Sequence, residues 1–407
     1  MGHELLITDH NNDKGPMEWR FNEVFEDICV PLENSIEFLH FIGHGRIHDP
    51  DYKEDQRKKV LSNIINDKIE FEDIPYIEFT TGFDFINFHD SRGGTELMRN
   101  WILGNAGVPQ DLQKKIQIVS RINHIPGYDS EFPYGLDMTK KKILWPHDGH
   151  WCGNPQLKEK DCIALFDKFV FVSNWQKEKY IMQYYPDLPP EKCTVIKNSI
   201  VPIPKHMKPN DGKIRLFYSS SPPRGLSLLI PAFEKLASER DDVELHVFSN
   251  FDIYSKTGER SEDNKEYLDL YDSIKNHPQM VYHGTVSNDE LREHIQNMHI
   301  LAYPSNFQET SCIVAIEAMS GGCLAVVPDS CALQETCDNY GIMYDFIPNE
   351  EDHINYFVDI LHETVDKYWS EETQDLLRSQ VDHFHRFYDL DDRVDEWTNL
   401  IEGILEE

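Results

Sequence analysis

Between residues 214 and 327, short apolar runs alternate with amphipathic stretches of helix length, and this pattern constrains the fold more than any other feature. Strands are expected at 214–218, 243–248, 281–283, 300–303 and 323–327, with helices near 226–237, 265–276, 288–297 and 312–319. Strands joined through helices form right-handed crossovers, and their repetition gives a parallel, doubly wound sheet. A looser alternation precedes it, with strands expected at 77–80, 116–120, 143–145, 168–172 and 193–196 and a helix near 95–103. The fold class read from this pattern is α/β, with two Rossmann-like domains.

A Pro-rich stretch over 201–212 reads as the link between the domains. The chain then divides into an N-terminal elaboration (1–76), a first domain (77–205) and a second domain (206–379). Residues 380–407 read as one C-terminal helix, its apolar face formed by Phe384, Phe387, Trp397, Leu400 and Ile404 and returned to the first domain. A chain of 407 residues suits two domains, and the crevice between them is the expected ligand site.

The net charge of −33 argues against nucleic-acid binding, which requires clustered Lys and Arg, and against broad docking on anionic lipid. No apolar run approaches the ~20 residues of a membrane helix. The first residues lack a basic or apolar leader pattern, so a cytoplasmic protein is expected. The eight cysteines show neither a Cys-x-x-Cys pair nor zinc spacing, and reduced thiols are expected.

The densest chemical signal runs from Tyr303 to Met319, where a strand ends, a loop presents Glu309, and a helix opens near Thr310, Ser311, Cys312 and Ile313. Free N–H groups at a helix start favour phosphate oxygens. Glu317, about two turns further on, is placed to accept both hydroxyls of a ribose. A second signal is Ser219-Ser220-Ser221-Pro222-Pro223-Arg224-Gly225, where Arg224 brings positive charge to the mouth of the next helix. A third is Gly93-Gly94 before a helix, where the backbone can approach a ligand closely.

The segment from Glu309 to Glu317 resembles the E-x7-E element of retaining GT-B glycosyltransferases, close to glycosyltransferase family 4, and Gly93-Gly94-Thr95-Glu96 resembles that family's Gly-Gly-x-Glu loop. The resemblance covers roughly residues 77–405 and implies two Rossmann-like domains facing across a cleft, with a C-terminal helix returning to the first. It implies sugar transfer from a nucleoside diphosphate sugar to a glycan or other hydroxyl acceptor, with retention and without an essential metal. Glu309 would meet the donor sugar, Glu317 the ribose, and Arg224 with Ser219, Gly93, Gly94 and residues 310–313 the diphosphate. His147, in Trp145-Pro146-His147-Asp148, would stand near the transferred sugar, and His283-Gly284 near the nucleobase. Ser219 stands where many relatives carry Arg, so more of the diphosphate charge falls to Arg224. The stretches 171–176, 195–200 and 332–336 resemble further family landmarks.

His147 and His150 are spaced as a metal pair, but no further ligand has matching spacing. Asp389-Leu390-Asp391 reads as helix-start charge. A catalytically degenerate binding protein and a sugar-nucleotide epimerase of the same architecture are the alternatives.

Overall fold

The computed structural model describes residues 94–104, 107–120, 137, 139–152, 163–184, 188–250 and 261–407. Residues 1–76, the strand expected at 77–80, and Gly93 lie outside them.

In the first domain, β1 (Ile116–Val119), β2 (Lys141–Leu144), β3 (Lys168–Phe171) and β4 (Cys193–Val195) pair parallel in that order. Its helices are α1 (Gly94–Leu103), α2 (Gln110–Gln113) and α3 (Asn174–Tyr184). Apolar side chains cover both faces of the sheet, with Ile118, Ile143 and Val170 in one cluster and Leu144, Phe169 and Phe171 in another. Burial on two sides explains why these strands read as nearly continuous apolar runs.

The second domain runs β5 (Ile214–Ser219), α4 (Leu226–Glu239), β6 (Val243–Phe248), α5 (Ser261–Asn276), β7 (Met280–Tyr282) and α6 (Asn288–Ile295). It continues through β8 (Ile300–Ala302), α7 (Ile313–Ser320), β9 (Leu324–Asp329), α8 (Leu333–Cys337) and β10 (Ile342–Asp345). Its six strands are parallel in the order β10-β9-β8-β5-β6-β7. Leu216, Phe217 and Tyr218 of β5 are fully buried, each contributing roughly 2 kcal/mol of apolar burial. After β7 the chain crosses back past β5 to start β8, so β5 and β8 flank the switch point where open α/β sheets form a crevice at the carboxyl ends of their strands.

Three long helices follow: α9 (Glu350–Lys367), α10 (Glu371–Phe387) and α11 (Leu390–Glu406). The single helix expected over 380–407 is therefore two. Asp389 accepts hydrogen bonds from the backbone N–H groups of Asp391 and Asp392, capping α11 at its start. The break separates two apolar loads, since Phe384 packs into the second-domain core while Trp397, Ile401 and Ile404 pack into the first. The return to the first domain thus belongs to α11 alone. At the crossing, Ile200 N–H donates to the Tyr388 carbonyl at 3.0 Å and Ile200 bridges Asp389, so the outgoing and returning chains run side by side. Two parallel-sheet domains with a C-terminal helix on the first constitute the GT-B architecture.

Candidate active site

The carboxyl ends of β5 and β8 meet in a cleft of about 310 Å³ between the domains. Ser219 ends β5, and a short turn over Pro222–Arg224 leads to Gly225 before α4 begins. Gly225 has φ +105°, and a Cβ there would stand 2.4 Å from the Pro304 carbonyl oxygen. Only glycine lets the two loops close to this distance, and that approach brings Arg224 beside Glu309. Arg224 Nη1 donates to both carboxylate oxygens of Glu309 at 2.7 Å, and its guanidinium lies over the Phe307 ring at 4.1 Å. The Tyr303 hydroxyl donates to Glu309 Oε1 at 2.7 Å. Burial holds the Tyr303 phenol well above its usual range, which keeps it a donor. Glu309 is buried, and its charge is met within the protein.

Glu317 projects from the middle of α7 and also lines the cleft. Its environment is the reverse: it is 3% exposed, and its Oε1 has no hydrogen-bond partner among the described residues. Burial pushes its carboxyl up to about 7, against a downward pull from Arg292 and a further push from Asp289. The helix carrying it begins at Ile313, one residue later than the sequence pattern suggests, and no side chain caps its first turn.

The first domain supplies the opposite wall. His147 follows β2 and lines the cleft, and its carbonyl accepts a hydrogen bond from the Thr310 hydroxyl at 2.8 Å. Gly94 approaches from α1, where a Cβ would stand 2.9 Å from Ile313 Cδ1. Thus Ser219, Arg224, Gly94, His147, Glu309, Thr310, Ser311, Cys312, Ile313, Glu317 and Gly284 all line one cleft.

His283 does not line it. Its ring stacks on Phe248 at 4.2 Å and contacts His246 at 3.0 Å, and the cleft is lined there by Phe248, Gly284, Thr285 and Val286. No group of three His, Cys, Asp or Glu side chains able to hold a metal occurs among the described residues, which include His147 and His150. The sequence reading missed Tyr303 and Phe307 as the groups that orient Glu309 and Arg224. It also passed over Asn198, which is 3% exposed, lines the cleft, and has an Oδ1 with no hydrogen-bond partner among the described residues. Asn198 was visible only as part of a family landmark.

Residues 202–373 match the family model of glycosyl transferases group 1. A lipopolysaccharide 1,2-N-acetylglucosaminetransferase of Salmonella typhimurium is 33% identical over 103 residues, 25% of this chain and 26% of that one. Among solved structures, a glycosyltransferase from Rickettsia africae superposes with a TM-score of 0.57 at 15% identity, covering 77% of this chain and 81% of that one. Anabaena HepE, in complex with UDP and glucose, has a TM-score of 0.52 at 12% identity, with 72% and 79% coverage. The pneumococcal O-GlcNAc transferase, in complex with UDP and GlcNAc, has a TM-score of 0.50 at 11% identity, with 66% and 54% coverage. At these identities the structural likeness is one of fold. The chain spans about a quarter of the curated relative's length and about half of the pneumococcal enzyme's. The family match falls on the second domain, the wall that carries Arg224, Glu309 and Glu317.

Proposed function

We propose that the chain is a retaining glycosyltransferase that moves a sugar from a nucleoside diphosphate sugar to a hydroxyl acceptor in glycan synthesis. The observation that carries this reading is the second-domain wall: a cation at the carboxyl end of β5, a paired carboxylate beside it, and a buried carboxylate one turn into α7, all on one cleft. Glu317 accepts the ribose hydroxyls, which supply the donors its Oε1 lacks among the described residues. Arg224 and the start of α7 face the diphosphate, where negative charge grows as the glycosidic bond breaks. Glu309 orients Arg224 and meets the donor sugar rather than attacking it. His147 approaches the transferred sugar from the first domain, and the acceptor enters on that side. The relatives solved with UDP support a uridine diphosphate sugar as the first donor to try. Front-face departure and attack would preserve anomeric configuration, with this chain's residues supplying orientation and charge.

Steady-state kinetics on a transferable UDP-sugar test the reading. Glu317→Ala should raise the donor KM about tenfold or more, the loss of a charged hydrogen bond. Arg224→Ala should lower kcat roughly 10²- to 10³-fold. Proton NMR of the first-formed product should show the donor's anomeric configuration. Unchanged kinetics in both variants would remove these residues from the chemistry, and an inverted product would remove the retaining mechanism.

A further inference from the structure

Glu335, on α8 of the second domain, extends its carboxylate to the first domain. Its Oε2 accepts from the backbone N–H of Asn174 at 2.8 Å and of Trp175 at 3.2 Å, and its Oε1 accepts from Asn174 Nδ2 at 2.8 Å. Lys197 Nζ lies 2.8 Å from the same Oε1. Asn174 and Trp175 open α3, where the first N–H groups of a helix have no acceptor of their own. Ser173 Oγ takes the N–H of Gln176, so the first-domain chain supplies part of the cap and the second domain supplies the rest. Burial raises the Glu335 carboxyl, but Lys197 and the Asn174 N–H outweigh it and leave the group below its ordinary range.

The consequence reaches the cleft through Gln176, which is fully buried in the first turn of α3. Gln176 Nε2 donates to the carbonyls of Pro146 at 3.0 Å and Asp148 at 2.9 Å, the two neighbours of His147. Its Oε1 accepts from Val172 N–H at 2.9 Å, so the amide is fixed on both sides. The path Glu335, α3 start, Gln176, His147 loop therefore joins the second domain to the His147 side of the cleft. It is separate from the chain crossing at Ile200 and Tyr388.

We propose that Glu335 is a latch that holds the cleft closed and positions the His147 loop in the cleft that Arg224 and Glu309 also line. It is a positioning residue: it lies outside the cleft lining and acts through α3. Swinging the domains apart about the crossing chains would break its bonds to Asn174, Trp175 and Lys197 together. Only the catalytic consequence rests on the glycosyltransferase reading, because the closed geometry is measurable without any substrate.

The test compares full-length protein with Glu335→Ala and Asn174→Asp, the second placing a like charge against the carboxylate from the other domain. Small-angle scattering of ligand-free protein should show a larger radius of gyration in both variants. Amide exchange at residues 174–176 and at 147–149 should rise roughly ten- to hundredfold. UDP affinity should stay within about twofold, since Arg224 and Glu317 belong wholly to the second domain, while turnover of the UDP-sugar falls. Glu335→Asp, which keeps the charge on a shorter side chain, should recover part of the closure. If Glu335→Ala does not fold, Asn174→Asp alone decides. Unchanged scattering and exchange in the folded variants would overturn the latch whatever the enzyme's activity. Altered scattering with no UDP binding by the parent protein would retain the latch and overturn the donor reading.

Discussion

Glu309 and Glu317 stand eight residues apart on one wall of the cleft, both buried, and the protein treats their charges in opposite ways. Arg224 and Tyr303 meet the first. The second keeps a buried oxygen without a partner among the described residues, and its proton affinity is raised by burial. One carboxylate is thus part of the framework, and the other carries a desolvation cost that an incoming hydroxyl pair can offset. Equal spacing in sequence conceals this division of labour.

The comparison breaks most readily at the paired end. Arg224→Ala leaves Glu309 buried with its cation gone, and the expected loss is about 3 kcal/mol of stability by denaturant unfolding. Adding Glu309→Gln should recover most of that loss, because the stranded charge goes with it. A single variant within 0.5 kcal/mol of the parent would show that Glu309 does not depend on Arg224.

A pH-dependent effect of similar size sharpens the other end. Burial pushes the Glu317 carboxyl up to about 7 from the ordinary 4.5 of a glutamate, so the folded protein holds this proton more tightly between those limits. Stability from this group is therefore fully present below pH 4.5 and is lost as pH rises through 7, by about 3 kcal/mol in total. Glu317→Gln has no such proton, so its stability relative to the parent should climb between pH 5 and pH 8. A difference between the two proteins that stays constant with pH would remove the raised carboxyl from the account.

Much of the second domain was legible because each strand is a short apolar run bounded by polar residues and followed by a helix. The strand expected at 243–248 coincides with β6, and the other expected strands shift by one or two residues at their ends, where strand and loop residues share one composition. The C-terminal break was half legible. Asp389 reads as helix-start charge, and a start inside 380–407 is incompatible with one unbroken helix there. What sequence could not supply were pairings across distance. Arg224 finds Glu309 over 85 residues and Glu335 finds Asn174 over 161, through a Gly225 contact and a domain interface that exist only in the fold. His283 and Gly284 part company in the same way: Gly284 lines the cleft, while the His283 ring stacks on Phe248.

The central claim is that Glu317 is held for a nucleotide ribose, and a thermal-shift panel of UDP-, GDP-, ADP- and TDP-sugars with the parent protein and Glu317→Ala tests it most directly. At a hundredfold excess over the dissociation constant, the matching donor should stabilise the parent by about 2.7 kcal/mol. The account predicts stabilisation by one nucleotide class and its loss in the variant. Equal stabilisation of both proteins, or of neither by any donor, would contradict it.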